Sequence, residues 1–259
     1  MRFVSLAFII VGALSALIAM AVPNDDSQEN GFTEAEQKLQ INFREDLAAN
    51  LGGDFLLSLD GPVLPTPSWK AVIEVNDSDR LEQALERLTE AIRKQTNASA
   101  KHSITIEASD SGGQRYYSIH DTVTGNVVAQ YTYADGYMIV APSRALLIQA
   151  MQTYSTGNSL ANSAAFKALL PKDENENYSA VAYQNLSPVL TPLLSQVSGE
   201  TADAVRKLAA DARPTVVCAR GEQNRIVAAS DSRLFGFDFL TLETLIHSGN
   251  KNAITSVRE

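Results

Sequence analysis

Between Ser103 and Ala141 the chain carries four short runs rich in β-branched and aromatic residues, SITIEA, RYYSIHD, NVVAQYTYA and YMIVA, separated only by SDSGGQ, TVTG and DG. Such residues fit a pleated, half-buried surface. Connections this short cannot carry a parallel return, which needs a crossover of about a dozen residues or more, so neighbouring runs must pair antiparallel. The stretch therefore commits the chain to a meander of about four antiparallel strands, and a sheet with apolar faces needs helices to cover it.

The last hairpin leads into the segment VVAQYTYADGYMIVAPSRALLIQAM, Val127–Met151. Asp135-Gly136 suits a two-residue hairpin turn, Pro142 keeps Ala141 extended, and Ser143 caps a helix that Leu147, Ala150, Met151 and Tyr154 fasten to the sheet. A strand entering a helix through Pro142, Ser143 and Arg144 is also an arrangement that collects anions. Scaffold is the preferred reading, with Arg144 the one residue placed to meet an anion.

Upstream, Thr33 and Glu36 form a capping box, and Leu39, Ile41, Phe43 and Leu47 predict a helix that Gly52-Gly53 stops. DFLLSLD reads as a strand, and GPVLPTP, with three prolines, as a fixed loop. SWKAVIEV suits a buried strand, and Asp77 to Gln95 an amphipathic helix with Leu81, Ala84, Leu85, Leu88 and Ile92 on one face. Downstream, SLANSAAFKALLP predicts a short helix ended by Pro171, YSAVAYQ a strand, and LSPVLTPLLSQVSG a proline-broken helix. TADAVRKLAADAR is a helix, PTVVCARGEQNRIVAASDS a hairpin turning through Gly221 to Asn224, and FLTLETLIHSG a closing helix with Gly249 past its end. The expected class is α+β, a mainly antiparallel sheet with amphipathic helices packed on it, occupying residues 33–259 as one domain or as two subdomains meeting near 170–200.

The first residues, MRFVSLAFIIVGALSALIAMA, join an early positive charge to a long apolar run and the small-x-small triplet Ala19-Met20-Ala21. Residues 1–21 thus read as an export signal cleaved after Ala21. The rivals are an uncleaved membrane anchor, since a spanning helix needs about 20 apolar residues, and a buried helix of a longer protein. Residues 22–32, VPNDDSQENGF, are a polar spacer. The expected location is periplasmic or secreted, or outside the cytoplasm on an inner-membrane anchor. With 30 acidic against 21 basic residues, a net charge of −9, the surface disfavours nucleic acid and anionic membranes. Contact with a membrane is expected only through an uncleaved N-terminal helix. Cys218 is the only cysteine; it cannot form an intramolecular disulfide, and in PTVVCARG it reads as a small apolar strand residue rather than a nucleophile.

No motif for nucleotide binding occurs, neither G-x-G-x-x-G nor a P-loop, and LGGDF and DSGGQ read as a helix stop and a hairpin turn. G-x-S-x-G is absent. The S-x-x-K match at Ser248–Lys251 follows the loosely similar SDS of Ser230 to Ser232 and lacks K-T-G, so it is a chance match. His102, His120 and His247 are isolated in sequence, and His120 and Asp121 project to opposite faces of a strand. The best metal candidate is DENENY, where Asp173, Asn175 and Asn177 open a calcium-type loop; Tyr178 stands where the loop needs glycine and Gln184 where it needs a bidentate Glu. Asp54, Asp60 and Asp135 fall at strand ends or turns and read as turn formers. Asn76, Asn97, Asn177 and Asn185 sit in N-x-[ST] sequons, read as incidental. No catalytic residue, cofactor or metal site is assigned.

Three stretches, LGGDFLLSLDGPVLPTPSWKAVIEVND, YTYADGYMIVAPSRALLIQAM and NSLANSAAFKALLP followed by YSAVAYQNLSPVL, together resemble a family of bacterial envelope proteins classed as a domain of unknown function, the 3352 type. The resemblance includes an S-L-x-x-S-x-x-F segment at Ser159, Leu160, Ser163 and Phe166, covers most of residues 46–190, and makes this chain look like the C-terminal portion of longer members. It implies a fold and an exported or anchored location, and it carries over no activity, substrate or catalytic residue. The resulting expectation is a non-enzymatic binding or structural module of the cell envelope. The alternatives are a hydrolase whose site is assembled from scattered residues and a calcium-stabilised adhesion-type protein. A contact surface is looked for at DGPVLPTPSW, although Trp69, opening a strand, reads first as core.

Overall fold

A computed structural model of the chain describes residues 36–230 except 38, 62–66, 98–103, 173–176, 195–197, 201, 204–205, 207–212 and 223–224. The signal or anchor at 1–21, the spacer at 22–32, Thr33, His102, the closing helix with His247, and Ser248–Lys251 lie outside the described residues. The fold divides into two compact units, with the boundary between Ser155 and Thr156.

The first unit contains strands β1 (Leu51–Leu59) and β2 (Trp69–Val75), helix α1 (Ser78–Asn97), strands β3 (Ile104–Ser111), β4 (Gln114–Asp121), β5 (Val127–Ala134) and β6 (Tyr137–Ala141), and helix α2 (Arg144–Thr156). The strands form one sheet in the order β1-β2-β6-β5-β4-β3, antiparallel throughout. The class is α+β, and the meander expected between Ser103 and Ala141 supplies β3 to β6. Ser111 pairs with Gln114 across Gly112-Gly113, and Ala134 with Tyr137 across Asp135-Gly136. Asp135 and Gly136 take φ values of 49° and 82°, the left-handed pair that a two-residue turn requires and that Asp-Gly adopts most readily. The longer β4–β5 connection is built by Asp121, which is buried and whose Oδ1 accepts from the Val123 and Thr124 amides at 2.8 and 3.3 Å.

Register places one row of side chains across all six strands on each face. Leu57, Ala71, Val140, Tyr131, Tyr117 and Ala108 share one face; Leu56, Val72, Ile139, Thr132, Tyr116 and Ser109 share the other. α1 covers the first face, where its buried Leu81 and Ala84 join Leu47 and Val75, next to the cluster of Ala71, Ile119, Ala129, Tyr131 and Val140. Asp77 starts α1, its Oδ1 accepting from the Arg80 amide at 3.0 Å. α2 covers the second face through Leu147, packed with Tyr116, Ile139 and Ala141. This is why a sheet buried on both sides reads as apolar runs rather than strict alternation.

The helix predicted to end at Gly52-Gly53 is not what forms. Gln40 takes a positive φ of 54°, which interrupts the helix. Asn42 then starts a π-helical turn at Phe43–Leu47, its side chain accepting from the Glu45 amide, and a 3-10 turn at Ala48–Asn50 follows. The two glycines lie inside β1, at a register irregularity between Leu51 and Phe55. There the Glu74 carboxylate accepts from the Gly53 and Asp54 amides at 2.8 and 3.2 Å, groups that the irregular pairing leaves over. A Cβ on Gly52 would lie 2.2 Å from Glu74 Oε2, so glycine is needed for that side chain to cross. Replacing Glu74 by Ala should lower stability by about 1 kcal/mol, because these amides remain near water. Urea unfolding followed by the fluorescence of Trp69, the only tryptophan and a member of this unit, measures it.

The second unit contains α3 (Ala164–Lys167), β7 (Ala180–Gln184), α4 (Ser187–Leu193), β8 (Thr215–Glu222) and β9 (Arg225–Ser230), the strands pairing antiparallel in the order β7-β8-β9. The helix expected over SLANSAAFKALLP divides into a 3-10 turn, Leu160–Asn162, and α3, because Ser163 between them is extended and its Oγ caps a new start at the Phe166 amide. α4 ends one residue after Pro192, as the proline-broken pattern predicts. In the β8–β9 hairpin Gly221 pairs with Ile226 and Glu222 with Arg225, so the connection is shorter than the predicted Gly221–Asn224 turn. Phe166 meets Tyr183 edge to face, with ring centroids 5.7 Å apart.

Candidate functional site

Two features of the first unit stand apart from ordinary packing: a carboxylate held among tyrosines beneath α1, and an apolar strand left open at the sheet edge.

Glu82 lies one turn into α1, above β5. Tyr131 and Tyr133, two residues apart, project to the same face, and Tyr117 lies opposite Tyr131 on β4. The Tyr131 hydroxyl donates to both Glu82 oxygens, at 2.9 and 3.1 Å, and the Tyr133 hydroxyl to Oε2 at 3.0 Å. Tyr117 and Tyr131 stack at 4.7 Å and 3°, while Tyr133 meets both edge-on at 6.0 and 5.9 Å. The Arg115 guanidinium lies 5.8 Å from the Tyr117 ring centre. Burial raises the Glu82 pKa; the phenol donors oppose the rise and Glu86 adds to it. Burial, with Glu82 nearby, pushes both phenols far above their ordinary value, so they remain donors at every physiological pH.

The arrangement is a hydrogen-bonded strut between α1 and β5. Because the folded chain binds the Glu82 proton more tightly than the unfolded chain, stability falls as pH rises from the ordinary value of 4.5 through the raised one. In Glu82→Gln an amide oxygen still accepts from the phenols and no charge forms. The variant should lack this part of the decline and be at least as stable as wild type at neutral pH, as urea midpoints measured across the acid range by Trp69 fluorescence would record.

Sequence reading did not find this cluster, since Glu82 belongs to the helix face counted as charged. The available signal was YTY: two phenols on a covered strand face require an acceptor.

At the opposite end of the sheet, β1 is an edge strand. Phe55 is 44% exposed, Leu56 53%, Leu57 60% and Leu59 49%. Pairing sets Phe55, Leu57 and Leu59 on the α1 face and Leu56 on the α2 face, so apolar surface is open on both sides of one strand. Beside it Lys70 is buried, its Nζ bonded to Asp60, which follows β1, and to Gln149 Oε1 of α2 at 3.3 Å. These contacts pin the end of β1 and satisfy the lysine. A polar groove between the π-helical turn and α1 is lined by Glu45, Asp46, Asn50, Arg80, Gln83 and Arg87, and Arg87 closes on Asp46 at 2.6 Å.

The residues singled out in the sequence do not converge. Arg144 lies over the Tyr116 ring, 4.5 Å from its centre, and its Nη2 donates to Ser109 Oγ at 2.5 Å, so the guanidinium serves packing on the α2 face. Asp54 lies at the β1 irregularity, Asp60 on Lys70, and Asp135 in the hairpin turn. His120 approaches Glu107 at 3.6 Å across β3 and β4. Cys218 is buried in β8. Asn177 is exposed ahead of β7, while Asp173 and Asn175 lie outside the described residues. Among the described residues no group of three or more His, Cys, Asp and Glu is gathered for a metal, and no helix is long and apolar enough to cross a membrane. Trp69 is half-buried against the cluster beneath α1.

Residues 24–216 match the model of a family described as protein of unknown function, DUF3352. No curated protein and no solved structure matches the chain.

Proposed function

Given that the chain belongs to the DUF3352 family of proteins of unknown function, we propose that it is a non-catalytic binding or structural module of the bacterial cell envelope that offers the open edge of its sheet to a partner strand. The observation that carries this reading is β1, where Phe55, Leu56, Leu57 and Leu59 are exposed in succession on an edge strand. Unpaired backbone groups on such an edge accept another strand, and apolar side chains on both faces reward its arrival. The polar clusters of the same unit, Glu82 with its tyrosines and Lys70 with Asp60, spend their hydrogen-bonding groups on one another. The signal-like residues 1–21 support an envelope location.

Two measurements test the reading. A chain tagged at its C-terminus should appear in the envelope fractions of a bacterial host; retention in the cytoplasm would overturn the location. In deuterium exchange, amides of residues 53–59 should slow when envelope extract is added, and equal exchange with and without extract would overturn the binding edge.

A further inference from the structure

We propose that the partner of β1 is β1 of a second copy, paired antiparallel about a two-fold axis at Leu56, so that two six-stranded sheets become one. This rests on β1 being a binding edge and names its occupant. Edge strands are normally blunted by Lys, Pro or a bulge. Here the irregularity is confined to the stretch between Leu51 and Phe55, and the run FLLSL beyond it carries none of these.

Charge and side-chain type select the register. With the axis at Leu56, Phe55 faces the second copy's Leu57, Leu56 faces Leu56, and Asp54 faces Ser58. Moving the axis to Leu57 would set Asp54 against Asp60, like charges directly opposed. Moving it to Phe55 would set the Asp54 carboxylate against Leu56, a charge against an apolar side chain. Of these three registers, only the Leu56 axis makes all three central pairs apolar and places a hydroxyl before each carboxylate. Directly opposed residues of an antiparallel pair share a face, so Phe55 and Leu57 of both copies cover each other on the α1 side and Leu56 does so on the α2 side. A single self-complementary strand is all that an isologous two-fold contact requires.

The full chain, purified from a bacterial host, should sediment as a concentration-dependent monomer and dimer between about 1 and 100 µM. Leu56→Lys opposes two ammonium groups at the axis and should shift the chain to monomer with an unchanged circular dichroism spectrum. In a Cys218→Ala background, Leu56→Cys should cross-link to a dimer on mild oxidation, because opposed residues have Cα separations of about 4.5–5.5 Å, within disulfide range. Leu57→Cys should cross-link far less.

A monomer at all concentrations, a dimer that survives Leu56→Lys, or cross-linking of Leu57→Cys as fast as Leu56→Cys would each overturn the proposal. If the chain is monomeric yet residues 53–59 are protected by envelope extract, self-pairing fails and the binding edge stands. If it is monomeric and they are not protected, both fail.

Discussion

Tyr131→Ala should destabilise the first unit by about 4 kcal/mol, the scale for truncating a large buried aromatic side chain. Tyr131 is fully buried at the centre of the sheet, stacked on Tyr117 and packed with Ala71, Ile119, Ala129 and Val140. Its loss would leave a cavity beneath α1 and remove the donor to both Glu82 oxygens. Tyr131→Phe separates the two effects: the ring stays, the hydroxyl goes, and the cost should fall to about 1.5–3 kcal/mol, the range for a hydrogen bond to a charged group. At roughly 2–4 °C per kcal/mol the alanine variant should melt about 8–16 °C lower. A loss below about 1 kcal/mol would mean that α1 does not hold this face as the packing indicates.

Leu147→Ala should cost about 3 kcal/mol on the other face. Leu147 is fully buried against Tyr116, Ile139 and Ala141, with Val72, Ala134, Leu146, Ala150 and Met151 around it. Tyr154, which the helical spacing had set on the face fastened to the sheet, is instead 65% exposed, so Tyr154→Ala is the control and should change stability by less than about 0.5 kcal/mol. Trp69 fluorescence reports both variants, because it sits in the unit that α1 and α2 cover. Equal effects at Leu147 and Tyr154 would mean that α2 is not docked through Leu147.

The meander was legible because its signal is local. Asp135-Gly136 and Gly112-Gly113 specify turns within four residues, and β-branched runs on either side leave antiparallel pairing as the only short connection. Asp77, Leu81 and Ala84 announced α1 in the same way. Sequence and structure part where a distant residue decides. Gly52-Gly53 resembles a helix stop until Glu74, 21 residues on, takes the Gly53 amide from across the sheet. Helical spacing from Leu39 to Leu47 did not reveal the break at Gln40 or the restart at Asn42. Arg144, placed as if for an anion, has its direction set by Tyr116 and Ser109 on other strands.

The sequence by itself determined the α+β class, the hairpin order and the helices that cover the sheet, since hydrophobic period and turn chemistry act over a few residues. Only the tertiary structure decided what becomes a site. It set the Glu82 carboxylate 49 and 51 residues from its phenol donors in sequence yet within hydrogen-bonding distance. It also placed β1, whose run Phe55–Leu59 is nearly all apolar, at the end of the strand order, where half of its pairing potential faces outward. Apolar content is a property of the segment; exposure depends on which neighbours the rest of the chain supplies.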